Sequence, residues 1–233
     1  MPSVREILSL DTWPVLSRLE RTMGGGLPAE SPLQPLLVQV QESLLALTGI
    51  AAQNMIRDAS WAYLDAGAHL ERVQHTLMLF SSTLTRERPP VIEAQVVEAV
   101  LMAGESIITH RRRLATGIGP SAPVESAVDI LLLDPTNPRS VAHQLDRLLE
   151  DLSLVDDDAN PVRVSAIRNR LAQVDLTKVA SSSRVELREL LGELSTSVSE
   201  LSRSIRSRHF AKRAPQRRQR YEWSVGNEAA RSS

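Results

Sequence analysis

The chain has 233 residues, enough for one large domain or two small ones around a sizeable core. Apolar residues make up 42% but aromatics only 3%, so the core must be built from Leu, Val, Ile and Ala, and the absence of cysteine excludes disulfides and thiolate metal sites. The net charge of −1 is unevenly spread: eight of the 27 basic residues lie between Arg203 and Arg220 with no acid among them, leaving 19 basic against 28 acidic residues elsewhere.

Ser3 to about Arg21 reads as a helix with Val4, Ile7, Leu8, Leu16 and Leu19 inward, kinked or divided at Pro14. Met23 to Pro32, with three consecutive glycines, reads as a connector. From Gln34 to about Arg86 the pattern is helical again, with a break expected near Gly49, and Pro89-Pro90 ends it. Val91 to Ala115 follows and closes on a charged cluster, Glu105-Ser-Ile-Ile-Thr-His-Arg-Arg-Arg113, in which Glu105 and Arg112 share one side. Three arginines there suit the negative end of a helix. An anion site is the second reading.

After a loop at 116–123, Val124 to Leu133 reads as a short apolar helix. Asn137 as cap and Pro138 at the first helical position start the next, which runs to about Leu154 with Val141, Leu145, Leu148, Leu149 and Leu152 inward. Asp156-Asp157-Asp158 lacks the glycine and distal glutamate of a calcium loop and reads as a solvated turn. Val162–Leu176 and Arg184 to about Phe210 complete the helices. Residues 213–233 form a basic tail with little to bury, expected to be disordered. With no alternating pattern, the fold class is all-α: a bundle of seven or eight helices and no sheet.

The unusual chemistry lies between Arg57 and Arg72. At about 100° per residue, Arg57, Trp61, Leu64, Ala68, Glu71 and His75 share a quarter of the helix, beside an apolar arc that includes Tyr63, Ala66, Leu70, Val73, Leu77 and Phe80. A helix apolar over so much of its surface is central, so its border charges need partners. Arg57 and Glu71 are about 21 Å apart along the axis and cannot pair with each other. Asp65 and Arg72 offer local pairs; Arg139, Gln144 and Arg147 would complete the centre, with Arg147 as partner for Glu71. The face is either a buried polar network that fixes helix register or a cleft with Glu71 as acid/base and Arg57 as anion binder. Glu71 and His75 are two ligands at most, so neither a metal nor a cofactor site is assigned.

Three ordered segments carry a resemblance. Arg57-Asp-x-x-Trp61-x-x-Leu64-Asp65-x-Gly67-x-x-Leu70-Glu71-Arg72, then Glu105-Ser-x-x-Thr109-x-Arg111-Arg112-Arg113, then Leu131-Leu-Leu-Asp134-x-x-Asn137-Pro138-Arg139-Ser140-x-x-x-Gln144-Leu145-x-x-Leu148 resemble the signature segments of the bacterial alpha-E domain family. The likeness covers roughly Ser3 to Lys212. It implies an all-helical domain of undetermined activity, associated with circularly permuted ATP-grasp enzymes that look like peptide or amide ligases. Two departures stand out. An earlier family segment, related to the Trp61–Arg72 stretch as if by duplication, has no room before Ser3, so the chain is expected to be N-terminally shortened. At Ala68-His69 the family commonly shows arginines.

The leading expectation is a cytoplasmic accessory or interaction domain. Its protein partner would be an ATP-grasp-type ligase or the missing N-terminal segment. The alternative is an enzyme of peptide or amide chemistry, with Glu71 as acid/base and Arg57, Arg112 and Arg139 binding an anion. Against it stands the lack of a nucleophile–base pair or phosphate loop. Nucleic-acid binding by the basic tail is set aside because the body is acidic and Phe210 is the one phenyl ring within the basic stretch. A membrane is set aside because no unbroken apolar run reaches about eighteen residues, and the N-terminus lacks a signal-peptide core.

Overall fold

The computed structural model describes residues 8–24, 33–120, 122–181 and 183–210. Among these are ten α-helices, one π-helical turn and no strand. In chain order they are α1 (Thr12–Gly24), α2 (Leu33–Asn54), α3 (Ala59–Thr83), α4 (Pro90–Ala103), α5 (Ile107–Thr116), α6 (Pro123–Val128), the π turn Asp129–Leu133, α7 (Val141–Ser153), α8 (Ala159–Ala172), α9 (Leu176–Val179) and α10 (Val185–His209). α3 packs on α7 and α10, α7 on α8, and α4 on α6, while α1 and α2 pack chiefly on each other. The core is aliphatic around a single ring, with Phe80, Leu101, Ile130, Leu132, Leu145 and Leu148 all sealed from solvent.

Three expected patterns break, at 34–86, 91–115 and 124–133, and the expected 162–176 helix divides into α8 and the short α9; the first, second and last of these divisions carry the helix count past seven or eight. The 34–86 run breaks at Met55–Asp58 rather than at Gly49, which stays helical. Asp58 forces the restart by accepting from the N–H groups of Ser60 (2.9 Å) and Trp61 (3.1 Å), donors that a first helical turn leaves unpaired. The 91–115 run breaks at Gly104–Ser106, where Glu105 takes a left-handed φ of 49°. Leu131 presses on this corner: a Cβ at Gly104 would lie 2.8 Å from both its methyl groups. The third break opens the expected 124–133 helix into a π turn, closed by Asp134 N–H donating to the Asp129 carbonyl at 2.9 Å. Ile130, Leu131 and Leu132 are consecutive and all buried, which an ordinary amphipathic turn does not allow.

Other expectations shift in detail. Pro14 lies in the first turn of α1, where its missing N–H costs nothing, and helix α1 continues through it to Gly24. α7 is capped by Ser140, whose hydroxyl accepts from His143 N–H at 3.0 Å, not by Asn137. Residues 3–7, most of the glycine connector and the whole basic tail beyond Phe210 lie outside the described residues.

Asp157, expected in a solvated turn, is buried. Its carboxylate accepts from the N–H groups of Ala159 and Asn160 (both 3.1 Å) and from His209 Nε2 (2.8 Å), tying the end of α10 to the start of α8. Tyr63 of α3 packs its ring 5.1 Å from that of His209 and joins a third helix to the knot. Burial alone would raise the Asp157 pKa, but the hydrogen bonds from His209, Asn160 and Ala159 outweigh it and hold the group at about 2.

Because that value lies below the unfolded 3.8, the stabilisation is present above pH ~4 and is lost as pH falls towards 2, amounting to about 2 kcal/mol. Asp157→Ala should therefore cost about 2–4 kcal/mol at pH 7. Between pH 5 and 2.5 the variant should lose less stability than the wild type, measured by urea unfolding followed by circular dichroism.

Candidate functional site

The Asp58 cap sets the phase of α3 and turns Ala62, Ala66, His69, Leu70, Val73, Leu77 and Phe80 into the protein. One histidine thus stands in an otherwise apolar stripe, with Asp65 one turn before it at the stripe's edge. The facing stripe of α7 consists of Val141, Gln144, Leu145, Leu148, Asp151 and Leu152, two polar residues among aliphatics. Packing α3 on α7 brings these polar groups together.

His69 Nδ1 lies 2.5 Å from Gln144 Oε1, and Gln144 Nε2 donates to the Pro138 carbonyl. A carbonyl only accepts, so the Gln144 amide has one workable orientation and the proton of the first bond sits on Nδ1. The other ring nitrogen, Nε2, therefore faces the acids: Asp65 Oδ2 at 3.5 Å and Asp151 Oδ2 at 3.8 Å. Neither Nε2 nor Asp151 Oδ2 has a hydrogen-bond partner among the described residues. Arg147 lies 3.9 Å from Asp65 and is drawn also to Glu150. Burial first, and then the negative charge of Asp65, push the Asp151 pKa up to about 7, against the opposing pull of Arg147 and Arg57.

Asp65 also forms part of the wall of a cavity of about 360 Å³ between α2, α3 and α7. Leu44, Leu47, Trp61 and Leu64 give it apolar sides, and Arg57 and Arg147 give it two positive groups. Arg57 precedes the cap and stacks its guanidinium 3.9 Å from the centre of the Trp61 ring, while donating to the Ala52 carbonyl at 2.7 Å. The cavity suits a small, largely apolar group with a charged end. The buried His69–Asp151 pair beside it suits a proton or a cation.

The residues singled out from sequence fall into three groups. Arg57, Trp61, Asp65 and Arg147 line one cavity, and Gln144 meets the same seam through His69. Glu105, Arg113, Asn137 and Arg139 form a separate network around the π turn. There, Arg139 pairs with Glu105, and Arg113 bridges Asp129 (2.6 Å) and Asp134. Asn137 donates to Ser106 Oγ (3.1 Å) and to the Ile130 carbonyl (2.8 Å). Glu71, Arg72 and Arg112 stand on the surface and join neither group. Glu71, the candidate acid/base, is about two-thirds exposed and lies 3.9 Å from an equally exposed His75. Arg147 pairs with Asp65, not with Glu71, and Glu105 pairs with Arg139. The expected phase placed Arg57 and Glu71 on one helical face, but the chain is not yet helical at Arg57, and the α7 contact buries the 62–66–69–73 edge, leaving Glu71 to solvent.

His69 and Asp151 were missed. Their signals were the i, i+4 spacing of Asp65 and His69 and an aspartate within the Leu148–Leu152 stripe, a position at which an unpaired charge is costly.

Three comparisons bear on the chain. The Alpha-E family, described as "a predicted alpha-helical domain with a conserved ER motif", matches residues 1–210. Uncharacterized proteins of Mycobacterium bovis and of two strains of Mycobacterium tuberculosis are 32% identical to it over 215 residues, 86% of this chain. The chain spans 24% of the length of these relatives. No solved structure matches it.

The Asp151 pKa of about 7 lies above the unfolded 3.8, so the folded state loses stability as pH rises from about 4 through 7. Asp151→Asn should remove that decline and make the protein more stable than the wild type at pH 8.5 by about 2–4 kcal/mol. Thermal and urea unfolding at pH 5.5 and 8.5, in chelator, would show it.

Proposed function

Since the chain belongs to the Alpha-E family, we propose that it is a non-catalytic helical module that docks a protein partner on the apolar face of α2. On the resemblance described above, the partner is an ATP-grasp-type ligase of a cytoplasmic peptide synthesis or modification system. One observation carries this reading. Of the 22 residues of α2 only Ser43 is fully buried, while Leu33, Leu37, Val38, Leu44 and Leu45 are each about half exposed or more. Exposed apolar area of that extent on one helix marks an interaction surface.

Two further facts favour a protein occupant. In the longer relatives the matched span is attached to about three times as much polypeptide again, so the segment works in company. α2 is also long and apolar enough to cross a membrane, which the search for an unbroken apolar run did not reveal. Gln34, Gln39, Gln41 and Glu42 interrupt its length, and α1, which carries the exposed Arg18 and Arg21, packs on it. A groove-binding or bundled helix accommodates such groups more readily than lipid does. With Glu71 at the surface, the alternative catalytic reading loses its acid/base.

The test is light scattering of the tag-free chain, alone and with the ATP-grasp-type ligase, and of a Leu37→Glu/Leu45→Glu variant. The expected result is a monomer alone and a complex with the ligase, weakened at least tenfold in the variant, whose unfolding free energy stays within about 0.5 kcal/mol of wild type. A dimer abolished by the variant, binding to lipid vesicles, or unchanged affinity for the ligase would each overturn the proposal.

A further inference from the structure

We propose that Asp65, His69 and Asp151 form a divalent transition-metal site with an open coordination position facing the α2–α3–α7 cavity. Each residue offers one ligand atom, and the three atoms all lie within 4.8 Å of one another. His69 Nε2 is 3.5 Å from Asp65 Oδ2 and 3.8 Å from Asp151 Oδ2. Two ligands of a tetrahedral ion at bond lengths of 2.0–2.1 Å stand about 3.3 Å apart. Small side-chain rotations therefore close the set.

Acidic groups near a histidine are common without any ion, so the weight rests on burial and on unmet valence. His69 is 6% exposed and Asp151 1%. The atoms each turns towards the other, Nε2 and Oδ2, have no hydrogen-bond partner among the described residues. A buried acceptor left unmatched is destabilising, more so when charged. One cation satisfies both atoms.

The arrangement behind the histidine is that of a metal ligand. Gln144 Oε1 accepts a hydrogen bond from Nδ1–H, and the amide is fixed by the Nε2 donation to the Pro138 carbonyl. That holds the ring in place and leaves Nε2 as the coordinating atom. Two carboxylates match the charge of a divalent ion, with one imidazole to select among the first-row metals. Three protein ligands leave a fourth position of a tetrahedral ion open to an exogenous ligand. It lies on the Asp65 side, where that side chain is 30% exposed, and admits water or a carboxylate beside Arg57 and Arg147. The site does not depend on docking at α2, and the Leu37→Glu/Leu45→Glu variant should bind metal like wild type.

The experiment titrates chelator-stripped, tag-free full-length protein with Zn²⁺ by calorimetry and with Co²⁺ by visible absorption. The expected result is one equivalent bound at micromolar Kd or tighter, a tetrahedral or five-coordinate Co²⁺ spectrum, and a raised Tm. Asp65→Asn and His69→Ala should each weaken binding at least tenfold, and Gln144→Ala about tenfold. Asp65 is only partly buried, so its variant remains informative should His69→Ala not fold. A Glu71→Gln/His75→Ala variant, which removes the exposed histidine–carboxylate pair of α3, should bind as wild type does. Absence of a micromolar site, undiminished binding by Asp65→Asn, or loss of binding in the Glu71→Gln/His75→Ala variant would overturn the assignment.

Discussion

The seam between α3 and α7 constrains the whole domain, because it buries a histidine, an amide and a carboxylate among aliphatic side chains. Apolar packing alone would tolerate small slips of one helix along the other. The His69–Gln144 bond does not, since a displaced ring leaves two buried polar groups unmatched instead of one bond made. The stripe of α3 supplies the driving force and His69 supplies the register. Asp65 and Arg147, flanking the same seam, add a partly solvated pair whose energy is small but whose geometry agrees.

That register rests on the segment before α7. Asp134 accepts from Thr136 N–H at 2.8 Å and pairs with Arg113, while the Ser140 hydroxyl donates to the Asp134 carbonyl at 2.5 Å and caps α7. Asn137 fastens the same loop to Ser106 and to the π turn. The loop therefore arrives at α7 with the Pro138 carbonyl pointing at Gln144, and the Gln144 amide is oriented before it meets His69. Hydrogen bonding holds the Asp134 carboxyl below its ordinary pKa: burial would raise it, but the bonds from Thr136 and the Arg113 charge prevail. Arg113 of α5 thus serves the fold, and the apolar run 130–132 is buried through a π turn where a regular helix would leave part of it wet.

Periodicity made the helices legible, and the aliphatic composition made the absence of strands legible. The phase of α3 was harder. Its apolar arc is broad, so several rotations bury a comparable area, and only the Asp58 cap and the packing of α7 choose among them. Reading the helix as continuous through Arg57 put Arg57 and Glu71 on one face. Gln144, Asp65 and Arg147 were recovered because polar residues beside leucines stand out. Asp151 did not stand out, since an aspartate in a run that reads Asp146, Glu150 and Asp151 passes for one more solvated acid. The breaks at Glu105 and in the π turn depend on Leu131 reaching Gly104, a long-range contact that no local pattern encodes.

The cavity links the two halves of the molecule. Leu44 is half exposed on α2 and also lines the cavity that Asp65 borders. α2 is anchored mainly by α1, not by the core around Phe80, so its position relative to α3 rests on few buried contacts. Elements held in that way have low local stability. Covering the outer face of α2 adds buried apolar area at about 25 cal/mol per Å² and steadies the wall opposite Asp65. Occupation of the cavity, through Trp61 and Leu47, steadies the same wall from inside.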